Sequence, residues 1–356
     1  MWTTSPSKRF RVLSVTVGAF AIVFLMVSAT SARTPQPAAS AGRNASARSA
    51  PDSPSLLTSG AYTDHLPLIR RDPSGPTLAG CAMFPPSNPW NLDVSSYPVH
   101  SNSTNYIDDI SAGGDEFLHA DFGSFLGYGI PYTVVASTQP SVPITFHPDG
   151  YADESDPGPF PIPPGAPIEE GSDAHVLVLE KDNCILYELF MATYIGPEWQ
   201  VGSSAKFDLK SNALRTLGWT SADAAGLPIL PGLVRYDEVA AGEIKHALRF
   251  TVWRTQRGFI LPATHFASDS TDANRPPMGL RLRLTASYEL SGFTGQALVI
   301  LKALKKYGMI IADNGTSWYI SGASDARFDD DDLDQLKTVP GNAFEAVYTG
   351  DIIANP

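Results

Sequence analysis

The chain has 356 residues, with 25 Lys and Arg against 37 Asp and Glu, and a formal net charge of −12. This acidity argues against nucleic acids and anionic membrane surfaces as partners, because both are negatively charged. The sequence also contains no P-loop, no dinucleotide-binding glycine motif and no G-x-S-x-G elbow, which argues against nucleotide-dependent enzymes and α/β-hydrolases.

The N-terminus is typical of a secretory signal. Lys8, Arg9 and Arg11 precede an apolar run at residues 12–27, and small residues follow at 28–32. The run is short for a membrane span, which needs about 20 residues, although an uncleaved anchor remains the alternative. We therefore predict a signal at residues 1–32, a secreted or periplasmic protein without membrane attachment after cleavage, and a monomer.

The remainder divides into two regions of different composition. Residues 33–80 are rich in Ala, Ser, Pro and Arg, which predicts a disordered linker, because few large apolar side chains are present to be buried. Residues 81–356 have ordinary globular composition and predict a single β-rich domain. The two cysteines, Cys81 and Cys184, are an even number in an exported chain and predict one disulfide.

Strand patterns dominate this domain. Residues 174–179 and 184–194 predict two strands around a turn, and residues 243–253 and 280–290 alternate in polarity. Two further apolar runs, at 309–312 and 318–321, flank an Asn-Gly turn signal. The fold class we predict is mainly β, a β-sandwich or jelly-roll-like domain with long Pro-rich loops. The one clear helix is at residues 295–307, with Thr294 as its cap and Gly308 at its end.

Several stretches resemble a family of secreted proteins from soil bacteria to which no activity is assigned. The resemblance covers most of residues 81–350 and implies a bacterial exported protein, without implying an activity. The stretches that carry it are HADFG at 119–123, ADESDPGP at 152–159, GWTSADAAGLP at 218–228, RYDE at 235–238, GEIKHALR at 242–249, and residues 307–309 through 313–315.

The hairpin at residues 174–194 holds the first candidate catalytic group. A two-residue loop at Lys181 and Asp182 would pair His175 with Glu188, about 5 Å apart at Cβ, with Asp173 on the same face. A carboxyl group in an apolar wall has a raised pKa and can act as a general acid. The alternative interpretation is a buried His–Glu pair that stabilises the hairpin.

A second candidate group consists of Glu238 and His246. His246 lies on the otherwise apolar side of its predicted strand, where a polar group is costly unless it is hydrogen-bonded. It is therefore either a bonded core histidine or part of the floor of a cleft.

Metal ligands are the third candidate group. Asp153 and Asp156 in one loop could bind Ca²⁺; otherwise no cofactor is expected. A transition-metal site is the other alternative, and its ligands would be His119, Asp121, His175, His246 and His265.

These groups lead to one functional hypothesis and two alternatives. The hypothesis is a glycoside hydrolase acting on an extracellular polysaccharide or oligosaccharide, with Glu188 as the acid. The second carboxylate would be Asp173 or Glu238, then Asp153. His175 and His246 would orient these carboxyl groups. The alternatives are a non-catalytic carbohydrate- or surface-binding protein and a polysaccharide lyase. The residues predicted to bind substrate are Arg249, Arg281, Trp219, Trp199 and Tyr236, although filling of the core is the competing explanation for the aromatic ones.

Overall fold

The computed structural model describes residues 75–356. The predicted signal and most of the predicted linker lie outside this range. Within it, no helix is long and apolar enough to cross a membrane. The four α-helices of this range are α1 (Ser103–Ser111), α2 (Tyr236–Ala241), α3 (Gly295–Lys306) and α4 (Asp330–Leu333).

Fifteen strands in residues 75–356 form four sheets, which confirms the mainly β class. The strands are β1 (Thr77–Leu78), β2 (Cys81–Ala82), β3 (His119–Asp121), β4 (Tyr132–Val135), β5 (Ile144–Phe146), β6 (Val176–Glu180), β7 (Ile185–Phe190), β8 (Thr193–Tyr194), β9 (Trp199–Val201), β10 (Ser203–Asp208), β11 (Leu248–Val252), β12 (Arg281–Leu284), β13 (Met309–Asn314), β14 (Tyr319–Ser321) and β15 (Phe344–Val347). The sheet orders are β1-β2, β10-β7-β6-β4, β15-β12-β13-β11-β14-β3 and β5-β9-β8.

The four-stranded sheet is buried on both of its faces. In β6, Leu177 and Leu179 belong to the large hydrophobic cluster that also contains the six-stranded sheet. Val176 and Val178 belong to a second cluster, shared with Trp199 of the three-stranded sheet. Because successive side chains of a strand point to opposite faces, this division makes the four-stranded sheet a middle layer.

The six-stranded sheet mixes parallel and antiparallel pairs. Strand β11 lies between β13, to which it is parallel, and β14, to which it is antiparallel. The two apolar runs at 309–312 and 318–321 therefore do not pair with each other across their turn; β11 separates them. Because β11 lies between β13 and β14, side chains of these three strands meet at the site described below.

Helix α3 forms where the sequence predicts it and packs on the large core. Ala297, Ile300 and Leu304 are buried in the main cluster at helical spacing. Thr294 occupies the N-cap position without a side-chain capping bond, and the amide of Gln296 instead donates to the Asp332 carboxylate. Gly308 follows the helix with a φ of 68°, and a Cβ there would lie 2.1 Å from the carbonyl oxygen of Leu282.

The predicted disulfide joins Cys81 to Cys184. Cys81 begins β2, which pairs with β1, so the fold includes residues that composition assigned to the linker. Cys184 follows the turn between β6 and β7. The bridge therefore ties the start of the described domain to its middle sheet.

Removing this bridge should lower the free energy of unfolding by about 4–5 kcal/mol, since it closes a separation of 103 residues. Urea unfolding of a Cys81→Ala/Cys184→Ala variant measures this loss. Dithiothreitol should destabilise the wild type alone and leave the double variant unchanged. Equal sensitivity of both proteins to reductant would contradict the prediction.

Candidate functional site

The loop between β6 and β7 sets the position of the predicted acid Glu188. Glu180 pairs with Ile185, which leaves four residues in the loop and places Leu177, not His175, opposite Glu188. The buried Glu180 carboxylate stabilises this longer loop by accepting from the amides of Asp182 and Asn183, at 2.7 and 3.2 Å. The register differs from the predicted one by two residues, so His175 and Glu188 keep a common face without being direct partners.

Glu188 is fully buried and caps a backbone segment. Its carboxylate accepts from the amide of Ile229 at 2.9 and 3.0 Å and from the amide of Leu230 at 2.9 Å. Leu230 opens a short 3₁₀ helix, so Glu188 satisfies amides that have no partner within the helix. Burial raises the pKa of Glu188 to about 7, although these amides and His175 oppose the shift.

His175 is also buried, and both of its ring nitrogens face acceptors. Nδ1 contacts the Glu169 carboxylate, and Nε2 lies 2.9 Å from the carbonyl oxygen of Ala222. Two acceptors require two N–H donors, which is the imidazolium form. Burial alone would lower the pKa of His175, but the hydrogen bond and charge of Glu169 outweigh it, and the pKa is raised.

Glu238 and His246 form a separate buried cluster with Arg235. The Glu238 carboxylate lies 3.0 Å from Nε2 of His246 and 2.6 Å from Nη2 of Arg235. Burial would raise the pKa of Glu238, but the charges of His246 and Arg235 outweigh it and lower the pKa. Nδ1 of His246 lies 2.7 Å from the carbonyl oxygen of Ala247, so this histidine is hydrogen-bonded in the core.

Arg249 of β11 is held by an internal ion pair. Its Nε and Nη2 donate to the two carboxylate oxygens of Asp223 at 2.8 and 2.9 Å, and its Nη1 donates to the Ser321 hydroxyl at 2.6 Å. A carboxylate oxygen of Asp313, on the neighbouring strand β13, lies 3.5 Å from Nη2. Both Arg249 and Asp223 are buried, and the charge of Asp223 raises the pKa of Arg249 despite the burial that would lower it.

Above this ion pair lies an open cleft of about 290 Å³, which we call the Asp313 cleft. Asp173 and Asp313 supply two carboxyl groups to its lining, alongside the ion-paired Asp223. The side chain of Asp313 is 23% exposed, so it reaches the cleft while contacting the buried pair. The other polar or aromatic residues that line the cleft include Tyr151, Thr220, Ser221, His265 and Asn314.

Asp313 has the electrostatics of a proton donor. Burial raises its pKa to about 7, and the nearby Asp223 carboxylate adds to the shift. Arg249 and the amide of Asn314, which donates to Asp313 at 2.7 Å, act in the opposite direction without cancelling it. A carboxyl group with a pKa near 7 carries its proton in a large fraction of molecules at neutral pH, as general acid catalysis requires.

His265 and Tyr151 complete the polar and aromatic lining. Nδ1 of His265 lies 2.7 Å from the carbonyl oxygen of Ala224, and its Nε2 lies 3.7 Å from the Glu154 carboxylate. Tyr151 is 49% exposed and lies in the same lining. The cleft therefore combines carboxyl groups, an imidazole and an exposed aromatic ring.

Of the five predicted catalytic residues, only Asp173 lines this cleft. Glu188 and His175 lie beneath it in the middle sheet, and Glu238 and His246 lie in their own cluster near α2. Asp313 is not among the catalytic residues that the sequence predicts, because its neighbours Asn314 and Gly315 indicate only a turn. The available signal was an acidic residue directly after the apolar run at residues 309–312.

The predicted substrate-binding residues do not meet at the Asp313 cleft. Arg281 and Trp199 are buried, the latter within the second core cluster. Trp219 is half-buried and lines a different cleft, together with Arg215. Tyr236 packs edge-on against Phe328, with the rings 5.5 Å apart.

The proposed calcium ligands also have other partners or positions. Asp156 accepts from the amide of Lys206 at 2.9 Å and pairs with the Arg215 guanidinium. Asp153 is exposed in the 3₁₀ helix Ala152–Glu154. Residues 75–356 contain no group of three or more His, Cys, Asp or Glu side chains arranged to hold a metal ion.

Comparison with known proteins does not add to this description. No protein-family model, curated protein or solved structure matches the chain. The proposals below therefore depend on the chemistry of the described residues.

The pH dependence of stability tests the environment of Glu188. Because its pKa is raised from 4.5 to about 7, the folded protein holds a proton there that the unfolded chain releases. The free energy of unfolding should therefore fall by about 3 kcal/mol as pH rises from about 4.5 to 7 on account of this group. We expect Glu188→Gln to remove that part of the dependence.

Urea unfolding of wild type and Glu188→Gln between pH 4.5 and 7.5 measures the difference. The wild type should lose stability relative to the variant as pH rises. A difference that grows in favour of the wild type with pH would show that the carboxylate is ionised in the fold, contrary to this prediction.

Proposed function

We propose that the protein is an exported glycan hydrolase whose active site is the Asp313 cleft. The observation that supports this most directly is an open cleft lined by two carboxyl groups, Asp173 and Asp313, where burial raises the pKa of Asp313 to about 7. Glycoside hydrolysis requires one protonated and one ionised carboxyl group. The disulfide supports an oxidising compartment, and we propose a secreted or periplasmic location.

In this proposal Asp313 protonates the oxygen of the glycosidic bond as that bond breaks. Asp173 serves either as the base that deprotonates the attacking water or as the nucleophile that water later displaces. His265 and Thr220 bind substrate hydroxyl groups, and Tyr151 stacks on a sugar ring. The leaving sugar takes the proton of Asp313, and the oxygen of water becomes bonded to the anomeric carbon. If Asp173 is the base, it takes a proton from the attacking water, and that proton returns through solvent to Asp313; if Asp173 is the nucleophile, the Asp313 carboxylate takes the proton of the water that displaces it.

The Arg249–Asp223 pair acts on Asp313 without contacting substrate. The positive charge of Arg249 limits how far burial and Asp223 raise the pKa of Asp313. A neutral Asp313 surrounded by uncompensated acids would hold its proton too tightly to donate it. Arg249 is therefore a positioning residue in this proposal, not a ligand of the substrate.

A polysaccharide lyase is less well supported by this cleft. A lyase of acidic polysaccharides needs an unpaired cation to neutralise the substrate carboxylate. No Arg or Lys lines the Asp313 cleft in the described part of the chain, and Arg249, which is buried, is already paired with Asp223 and donates to Ser321. Neutral or cationic glycans are therefore the better substrates.

A carbohydrate-binding protein remains the second candidate, because of another open cleft of about 300 Å³. Tyr128 and Phe125 line it with exposed fractions of 60% and 61%, and their rings meet edge-on at 5.7 Å. His119 and Tyr319 stack with their rings 4.7 Å apart in the same lining. Such surfaces bind sugar rings without any catalysis.

Replacing Asp313 by Asn separates these two functions. The variant keeps the shape of the side chain but cannot donate the carboxyl proton, so hydrolysis should fall by about 10²–10⁴-fold. The measurement is reducing-sugar release from a panel of neutral and amino-sugar polysaccharides. Asp153→Asn, an exposed acid outside the cleft lining, is the matched control and should retain full activity.

Binding of the same polysaccharides distinguishes the outcomes. An enzyme should bind them in the Asp313→Asn form without cleaving them. Turnover by neither form, combined with binding that Tyr128→Ala abolishes, would reject the hydrolase and support the binding protein. Wild-type activity in Asp313→Asn would reject Asp313 as the acid.

The pH profile gives an independent test of the same role. A general acid acts only while protonated, so kcat/KM should decline as pH rises through about 7, the pKa of Asp313. Initial rates at low substrate concentration between pH 4 and 9 measure it. A kcat/KM that is constant from pH 6 to 8.5 would contradict the assignment.

A further inference from the structure

A second kind of site lies around Arg281, in a cavity of about 190 Å³ that shares no lining residue with the Asp313 cleft. Most of its wall is apolar and includes Leu92, Pro262 and Ile310. Leu261 and Tyr348 also line it and are 42% and 44% exposed, so the cavity opens to solvent beside them. We call it the Arg281 cavity.

Arg281 is a buried cation without a carboxylate partner. It is 3% exposed, and although the charge of Asp93 acts on it, no Asp or Glu oxygen of residues 75–356 lies within salt-bridge distance of it. Its Nε donates to the carbonyl oxygen of Tyr307 at 2.7 Å, Nη1 to that of Pro89 at 2.5 Å, and Nη2 to those of Leu92 and Tyr307. Backbone carbonyl groups therefore accept all four of these hydrogen bonds, while Tyr97 and Asp93 favour the charged form electrostatically.

The guanidinium has more donors than these carbonyl groups satisfy. Arginine has five N–H donors, and the four bonds described leave one N–H of Nη1 without an acceptor in residues 75–356. A buried charge without a counter-ion and a buried donor without an acceptor are both destabilising. Burial lowers the pKa of Arg281 to about 9, and the opposing electrostatic effects of Tyr97 and Asp93 do not cancel this shift.

Thr349 adds a second unsatisfied group to the same cavity. Its hydroxyl oxygen is buried and has no hydrogen-bond partner in the described part of the chain. Thr349 and Arg281 both line the cavity, whose other walls are mainly apolar. The arginine with an unused N–H and the threonine with an unbonded hydroxyl thus both belong to the lining of one mainly apolar cavity.

We propose that the Arg281 cavity binds a small carboxylic acid with an apolar body. The ligand carboxylate accepts from Nη1 of Arg281 and from the Thr349 hydroxyl, and its apolar part packs against Leu92, Pro262 and Ile310. The size of the cavity limits the ligand to about one ring or a short chain, since an apolar cavity of about 150 Å³ accommodates benzene. This proposal does not depend on hydrolysis at the Asp313 cleft.

Benzoate and its uncharged counterpart benzamide are suitable probes for calorimetric titration of the mature protein. Benzoate should bind at one saturable site, at least tenfold more tightly than benzamide, because only the carboxylate supplies the missing charge. Leu261→Glu places a competing negative charge at the opening and should weaken benzoate binding at least tenfold. Leu217→Glu, at an equally exposed leucine outside this cavity, is the matched control and should have no effect.

Thr349→Val tests the hydroxyl with a side chain of the same shape and should weaken benzoate binding severalfold. Asp313→Asn should bind benzoate as the wild type does, which keeps this result independent of the proposed hydrolase. Absence of benzoate binding, or equal affinity for benzamide, would overturn the proposal. Binding that neither Leu261→Glu nor Thr349→Val affects would place the ligand elsewhere and overturn it too.

Discussion

The ion pair between Arg249 and Asp223 is the interaction on which the candidate site depends. It joins the central strand of the six-stranded sheet to the 218–228 segment, and the same guanidinium reaches Ser321 on one neighbouring strand and Asp313 on the other. Burial, with the neighbouring Asp223 carboxylate, raises the pKa of Asp313 to about 7, and the charges of Arg249 and His175 limit this rise.

Because the middle sheet is covered on both faces, its buried polar side chains Glu188 and His175 form hydrogen bonds inside the fold. Glu188 and His175 lie on strands or strand ends that are covered from both sides, so each must find internal partners. Glu188 binds the amides of Ile229 and Leu230, and His175 binds Glu169 and the carbonyl group of Ala222. Groups that reach solvent lie instead at strand ends and in loops, where Asp313, Tyr151 and His265 are found.

The two cavities show two different responses to a buried charge. Arg249 donates two hydrogen bonds to the Asp223 carboxylate, and the neighbouring Asp313 has a pKa raised to about 7. Arg281 has only backbone carbonyl groups, and its pKa falls to about 9. The charge of Arg249 is thus balanced by a carboxylate, whereas Arg281 retains an N–H and a charge that the proposed ligand would satisfy.

The sequence by itself determined the features that depend on local pattern. The helix at 295–306 followed from its apolar spacing and from Gly308, the mainly β class from alternating runs, and the disulfide from an even cysteine count. The tertiary structure alone decided which strands are neighbours, because β11 is inserted between β13 and β14 by contacts distant in sequence. It also decided that the loop between β6 and β7 has four residues, so that Leu177 and not His175 lies opposite Glu188. Finally, it placed Asp313 where burial raises its pKa. A proton affinity depends on the charges and solvent around a group, and these are brought together only when the chain has folded.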